Sequence, residues 1–590
     1  MYTCVFINRA ERTIHVPFRY GMTIHTPKPQ SRRAFLFAAL LATNSAYAQT
    51  NAERDAAEQR RALERQSQLR DQQEAAPDVR LGAAMQQAPR LPDGESPCFP
   101  VHQIELSGPG ASRFGWVLDH LAGAAHDDSP LRRCLGAEAV GVLQQRAQQA
   151  LVERGFVTSR IVVQGQDLRS GRLVLTVVPG TLAGVRTEGD VPASSVQSAL
   201  PLRNGDVLNL RDVEQALENL QRVPTVQADI QIAPAATPDQ SELVIRRQAA
   251  TPLRLSLGLD DSGAKTTGRY QGSATLSWDN PLDLNDLFYV SYGSDAQGGD
   301  PGPRGNQSTT VHYSLPWGYW ALGLTASDSS YYQTVAGSTT PYVYRGSSGS
   351  TELKASRLFY RDATQKSTVY LKALERHARN FINDTEVLVQ RRASSLWELG
   401  LEHKAFVGSG TLQLGLAYKR GTRDFDATDA PEEASGTGTA RPTFYGADLQ
   451  WSTPWTPWQA PLGYQASVRL QATDVALAAP DRFALGGRHT VRGFDGESSL
   501  SGDAGWLARQ ELQWNLPRGW GQLYLALDAG EVDGPNTAGL SDRFMAGTAW
   551  GWRISRQHLQ FDAFVGRPLH TPATVRTGET AAGFSLNLNF

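Results

Sequence analysis

Long apolar runs are almost missing from this 590-residue chain. No segment reaches the roughly 18 consecutive apolar residues that a membrane-spanning helix needs, and the one marked run, near the start, is half that length. If the chain crosses a membrane, it does so as strands. A surplus of positive charge is missing too: 57 Lys+Arg stand against 59 Asp+Glu. That argues against a nucleic-acid partner held by a basic surface. Cysteine is scarce, with three residues in all, and the eleven histidines are scattered. Zinc-type ligand spacing is therefore absent. No Ser/His/Asp set, paired carboxylates or nucleotide cradle stands out, and the Gly-rich stretch Gly346–Ser350 reads as loop. The expectation is no catalytic residue, no metal, no cofactor and no enzymatic activity.

The apolar stretch has the marks of an export signal. Arg32 and Arg33 precede the run Ala34–Ala42, and Ala46-Tyr47-Ala48 before Gln49 forms an A-x-A cleavage site. Residues 1–48 are read as a signal peptide, with Met22 as an alternative start. Ser31-Arg32-Arg33-Ala34-Phe35-Leu36 also resembles a twin-arginine signal. An ordinary secretory signal is favoured, because a barrel must cross the inner membrane unfolded. Export leaves Cys98 and Cys134 as an even pair in an oxidising compartment. A bridge between them is expected, worth about 3–4 kcal/mol on the chain-entropy estimate; two free buried thiols are the alternative.

Five segments follow. Residues 49–75 are charged and rich in helix formers, without a continuous apolar stripe. Such a helix is either solvated or sits in a polar cavity. Residues 76–95 read as a linker. Residues 96–179 form a mixed unit: a strand at Val101–Leu106, a helix at Ala137–Arg154 with apolar residues at helical spacing, then strands near Val157–Val163 and Leu173–Val178. Residues 180–250 repeat the order, with helices at Ala193–Leu200 and Leu210–Arg222, and this is a weak internal repeat.

From 251 to 590 the texture is strand-like. Leu412, Leu414, Leu416 and Tyr418 alternate with Gln413, Gly415, Ala417 and Lys419. Alternation alone fits a soluble sandwich as well as a membrane barrel. Three features favour a transmembrane β-barrel. About sixteen strands can be counted, an even number. Short turns at Pro316-Trp317-Gly318, Val407-Gly408 and Pro517-Arg518-Gly519 alternate with long polar connections at 295–305, 329–342, 421–441, 474–503 and 566–579. Trp and Tyr gather near strand ends, as in an interfacial girdle. The last segment alternates Phe584, Leu586, Leu588 and Phe590, and an alternating strand ending on Phe590 resembles the terminal signal by which barrels are recognised for assembly.

The longest connection carries Val491-Arg492-Gly493-Phe494. In Leu523–Gly530, Asp528 faces the lumen with Tyr524 and Ala526, opposite Leu523, Leu525 and Leu527. An inward-folded loop would pair Arg492 with that carboxylate through charge-assisted hydrogen bonds. This V-R-G-F tetrapeptide, between the eleventh and twelfth strands, together with Asp528 and Gly530 in an x-D-x-G strand motif, resembles the POTRA-barrel superfamily. Pro97-Cys98-Phe99 with Cys134, and Trp278-Asp279-Asn280-Pro281-Leu282, look like the two-partner secretion transporters (TpsB class, haemolysin secretion/activation type) of that superfamily.

The resemblance implies an outer-membrane barrel with two periplasmic POTRA-like domains. These would recognise a large secreted β-helical exoprotein – an adhesin, haemolysin or contact-dependent toxin – which passes unfolded through the lumen. It also implies that the charged helix of residues 49–75 is a candidate pore plug, and that the chain contacts outer-membrane lipid and, during biogenesis, the barrel-assembly machinery. Two alternatives stay open: a barrel-assembly factor of the same superfamily, and a passive porin or outer-membrane enzyme.

Overall fold

The computed structural model describes residues 54–74, 77–82, 88–123, 126–457 and 460–590. The expected signal peptide, its alternative start at Met22, and the first residues of the charged segment lie outside the described residues.

The two mixed units share one plan. In the first, Gln103–Ser107 runs parallel to Arg172–Val178, which pairs antiparallel with Arg160–Val162. In the second, Thr181–Glu188 runs parallel to Gln240–Ala249, which pairs antiparallel with Val226–Pro234. Both sheets therefore place the last strand in the middle. The cores follow from periodicity. Val142, Leu143, Ala147 and Leu151 on the helix Ala137–Glu153 close over Leu173, Leu175 and Val177, which alternate along their strand. The free backbone N–H groups that open this helix are capped from outside. Glu95 accepts hydrogen bonds from Gly136, Glu138 and Ala139, placing an anion where the helix dipole favours one.

Cys98 and Cys134 are bonded. Cys98 directly precedes, and Cys134 lies within, a two-stranded ribbon, Phe99–Val101 against Arg133–Leu135. A 3-10 helix at Ala111–His120, which the sequence pattern did not signal, carries Phe114 and Val117 into the core.

Beside that ribbon Asp128 is buried. It accepts from the backbone N–H of Leu91 at 2.8 Å and from the guanidinium groups of Arg133 and Arg146. Burial pushes its carboxyl up, but these donors outweigh burial and hold it at about 2, below the ordinary 3.8. A carboxyl depressed on folding stabilises the fold above its unfolded value and loses that contribution as pH falls through the folded one. Resistance of residues 96–179 to pepsin in the full-length protein is expected to fall between pH 4 and pH 2. Asp128→Asn should already be cleaved faster at pH 4 and show a flatter pH dependence. An identical profile for both proteins would remove Asp128 from the account.

The rest of the chain is a closed antiparallel barrel. Sixteen long strands run from Leu253–Asp260 to Ala581–Asn589, and these two close the circle from Asp260↔Ser585 to Ser256↔Asn589. Strand alternation sorts the residues. Leu253, Leu255, Leu257 and Leu259 point outward, 38–53% exposed, while Arg254 and Ser256 point inward toward residue 73. An outward wall of leucines around a closed barrel suits lipid and not water. Trp317, Trp320, Trp514 and Trp520 stand exposed at one rim.

That rim is the one that meets the second mixed unit. The Gly318 N–H donates to Ser198 O, and Asn219 donates to Gly318 O. The turn after the second strand docks there as well: Asn285 donates to Ser195 O and to the Ser198 hydroxyl, and Asp279 accepts from Thr225. The motif Trp278-Asp279-Asn280-Pro281-Leu282 thus leads into the seam between barrel and second unit, which it joins through Asp279.

The opposite rim needs one correction. Residues 329–342 were expected as a long polar connection. Most of them are strand, because Trp320–Val335 pairs with Tyr342–Arg361 along its whole length. Likewise strand Leu559–His570 enters the segment expected as loop from residue 566. These Ser-, Thr- and Tyr-rich stretches lie beyond the roughly 10 residues a strand needs to cross a bilayer. They carry polar residues because water, not lipid, meets them.

Candidate functional site

The site is the lumen. The connection between strands Leu462–Ala472 and Ala504–Asn515 does not extend outward. Its small hairpin, Phe483–Leu485 against Leu500–Gly502, folds back into the barrel. Val491 and Phe494 are 0% and 3% exposed and join Phe483, Leu485, Leu500, Leu507, Val532 and Met545 in an internal core. An apolar cluster inside a polar-lined barrel holds the loop in; without it, a loop this long would have no reason to order.

Arg492 sits at the loop's deepest polar point. Its Nε and Nη2 donate to Asp528 Oδ2 and Oδ1 at 2.7 and 2.8 Å, a bidentate fork. Its backbone N–H donates to Oδ2 at 2.9 Å, and Nη1 donates to Glu511 Oε2 at 2.5 Å. Asp528 is fully buried. The register explains its position: Leu523, Leu525 and Leu527 are 39–55% exposed on the outer face, so Asp528 must point in.

Glycines make the close approach possible. Gly493 has φ +103°, and a Cβ there would meet Arg567 O at 2.4 Å. At Gly530 a Cβ would meet Trp506 O at 2.6 Å and Leu485 at 2.9 Å. Phe590 continues the closing seam: its N–H donates to Leu255 O and its carbonyl accepts from Leu255 N–H, while its ring stacks on His558.

Two participants were not singled out in the sequence. Glu511 is the second carboxylate on Arg492 and also meets Arg553 at 3.3 Å. Its signal was the inward polar alternation Arg509, Glu511, Gln513. Gly547 is the other: a Cβ there would lie 2.0 Å from Arg492 O, which only the folded structure reveals.

The charged segment forms a helix over 54–73, and the helix threads the same lumen. Asp55 accepts from Tyr344, Asn380 and Tyr331. Glu58 accepts from Thr267, Arg70 pairs with Glu352 at 2.9 Å, and Gln73 meets Ser256, Ser277 and Arg254. Beyond the helix, Glu74 accepts from Ser314 and faces His312. Apart from Thr267, which lies in a turn, these partners lie on inward strand faces from one rim to the other. Twenty helical residues span about 30 Å, the thickness of a bilayer core. The helix also touches the latched loop, since Arg61 donates to Gly496 O and Gln68 meets His489. A helix without an apolar stripe is stable here because the lumen supplies polar partners on all sides. Among the described residues, no group of three His, Cys, Asp or Glu side chains is placed to hold a metal.

Comparison with known proteins matches this architecture throughout. The haemolysin secretion/activation protein family ShlB/FhaC/HecB matches residues 239–554. An ShlB-type POTRA domain matches 99–180, and a further POTRA domain matches 181–234. The outer membrane transporter CdiB-2 of Burkholderia pseudomallei (strain 1026b) is 32% identical over 566 residues, covering 92% of this chain and 95% of its own. The outer membrane transporter CdiB of Dickeya dadantii (strain 3937) is 28% identical, covering 91% and 95%. Among solved structures, CdiB from Acinetobacter baumannii superposes with a TM-score of 0.79 at 31% identity, over 91% of this chain and 99% of that one. The chain belongs to the haemolysin secretion/activation family, the outer-membrane transporters of two-partner secretion.

Proposed function

We propose that this transporter rests in a closed state, with the 54–73 helix as plug and the Arg492–Asp528 pair as the latch of the inward loop, and that it opens when its POTRA domains engage the exported partner. The barrel lies in the outer membrane and the POTRA domains face the periplasm. The observation that carries the reading is the shared lumen: helix and latched loop occupy one channel and touch each other through Arg61 and Gln68. A translocating chain takes the space of the helix and passes along the loop, which the latch must keep in its inward position for transport.

The partner is an exoprotein delivered unfolded to the periplasm, of the β-helical kind that the family's haemolysin-type members suggest. Recognition uses strand addition at a free sheet edge; among the described residues, Gln103–Ser107 pairs on one side only. No nucleotide motif supplies energy, so folding outside gives the direction. The family is one of secretion proteins, and we read this member as having no catalytic activity of its own and no cofactor. Phe590 serves barrel assembly, at a seam it helps to close.

Deleting residues 96–179 tests the docking role. The barrel is expected to reach the outer membrane in heat-modifiable form while export of the partner falls to background. Normal export by the deleted protein would remove the first POTRA domain from recognition.

A further inference from the structure

Residues 77–82, just after the lumenal helix, lie extended against the second POTRA domain. Burial alternates: Pro77, Val79 and Leu81 are half-buried, and Asp78, Arg80 and Gly82 are exposed. Val79 and Leu81 pack against the core of that domain. The backbone is held as well as the side chains. Val79 N–H donates to Glu218 Oε1 at 3.1 Å and Leu81 N–H to Glu214 Oε1 at 2.7 Å. Arg361, on the barrel rim, donates to Val79 O at 2.6 Å and pairs with both glutamates, at 3.1 and 2.9 Å. Asp78 lies between Lys366 and Lys404. Glu214 and Arg361 are 0% and 6% exposed.

A groove that binds backbone N–H and C=O groups and offers places for alternate apolar residues has the chemistry of a peptide site. We infer that the groove between the helix Leu210–Leu220 and the barrel rim is a binding site for an extended segment of the exported chain, with an acidic residue followed by apolar residues at alternate positions. Residues 78–81 fill it in the closed state as an internal stand-in. The occupant also sets the travel of the plug. From Glu74 to Asp78 the backbone reaches about 14 Å when fully extended, less than half the length of the helix. While 78–81 are held, the helix cannot leave the lumen; an incoming segment that displaces them frees it. The identity of the incoming chain rests on the transport reading above; the groove's capacity for such a peptide does not.

The test uses the full-length protein in detergent micelles, with a spin label attached through Gly82→Cys, a position where an added Cβ meets nothing within 4 Å. The probe is the synthetic peptide Pro-Asp-Val-Arg-Leu-Gly. A tethered segment has an effective concentration of about millimolar, so peptide in that range is expected to raise the mobile fraction of the label from about a tenth to about half. The same peptide with serine at both apolar positions should leave it unchanged. Arg361→Gln should mobilise the label without peptide. A label that ignores both peptides, or responds to both alike, overturns the inference. Loss of export by the unaltered protein would overturn the transport reading instead and leaves the peptide result as it stands.

Discussion

Arg492→Ala is expected to cut export of the partner at least about tenfold while the barrel stays folded in the outer membrane. Removing one member of a buried ion pair costs about 3–5 kcal/mol, because the other charge is left desolvated and unpaired. Here Asp528 is fully buried, and Glu511, 8% exposed, loses its second arginine. Each 1.4 kcal/mol shifts an equilibrium tenfold, so the inward loop position is lost even if it was strongly favoured. The barrel itself keeps its ladders on both sides of Asp528. Arg492→Lys keeps the charge but not the fork, and intermediate export is expected. In Arg492→Ala with Asp528→Ala the stranded carboxylate is gone, so the double variant should be less impaired than the two single effects combined. Secreted partner relative to cell-associated partner, with heat-modifiability on gels as the folding control, gives the readout. Export at the unaltered level in Arg492→Ala would separate the pair from transport.

The second large effect concerns the helix. Removing residues 54–74 is expected to raise the conductance of the reconstituted protein several-fold in planar bilayers. Sixteen-stranded barrels leave an aqueous channel when nothing fills them, and a helix with its side chains is about 10 Å across. Each polar partner of the helix is a lumenal group that water takes over, so the barrel should remain folded. Conductance unchanged by the deletion would mean that the loop alone closes the channel.

Much of this was legible in the sequence, for a physical reason. Strand alternation has period two, so Leu523, Leu525 and Leu527 on one face dictate an inward Asp528 without any knowledge of the fold. The same logic predicted the sixteen strands and the closing segment ending at Phe590. Helical spacing predicted Ala137–Arg154, and the structure ends that helix at Glu153. What stayed hidden depends on contacts distant in sequence. Gly547 matters only because Arg492, 55 positions earlier, packs its carbonyl against it. The 3-10 helix Ala111–His120 buries only Phe114 and Val117, too few to mark it out in the sequence. Residues 329–335 read as loop because polar alternation outside a membrane carries no hydrophobic signal. Residues 78–81 read as linker because four residues are too few for a pattern, and their partners, Glu214 and Glu218 of Leu210–Leu220 and Arg361, are more than 130 positions away.

Export of a dedicated exoprotein is what separates this chain from a passive porin or a barrel-assembly factor. Its most direct test is to express a candidate partner, a long secreted protein encoded beside this chain, in a bacterium that lacks this transporter, with and without the chain. The partner is expected in the medium only when the chain is present, and otherwise in the periplasm or degraded. Equal release without the chain, or periplasmic retention with the folded barrel in place, would contradict the account.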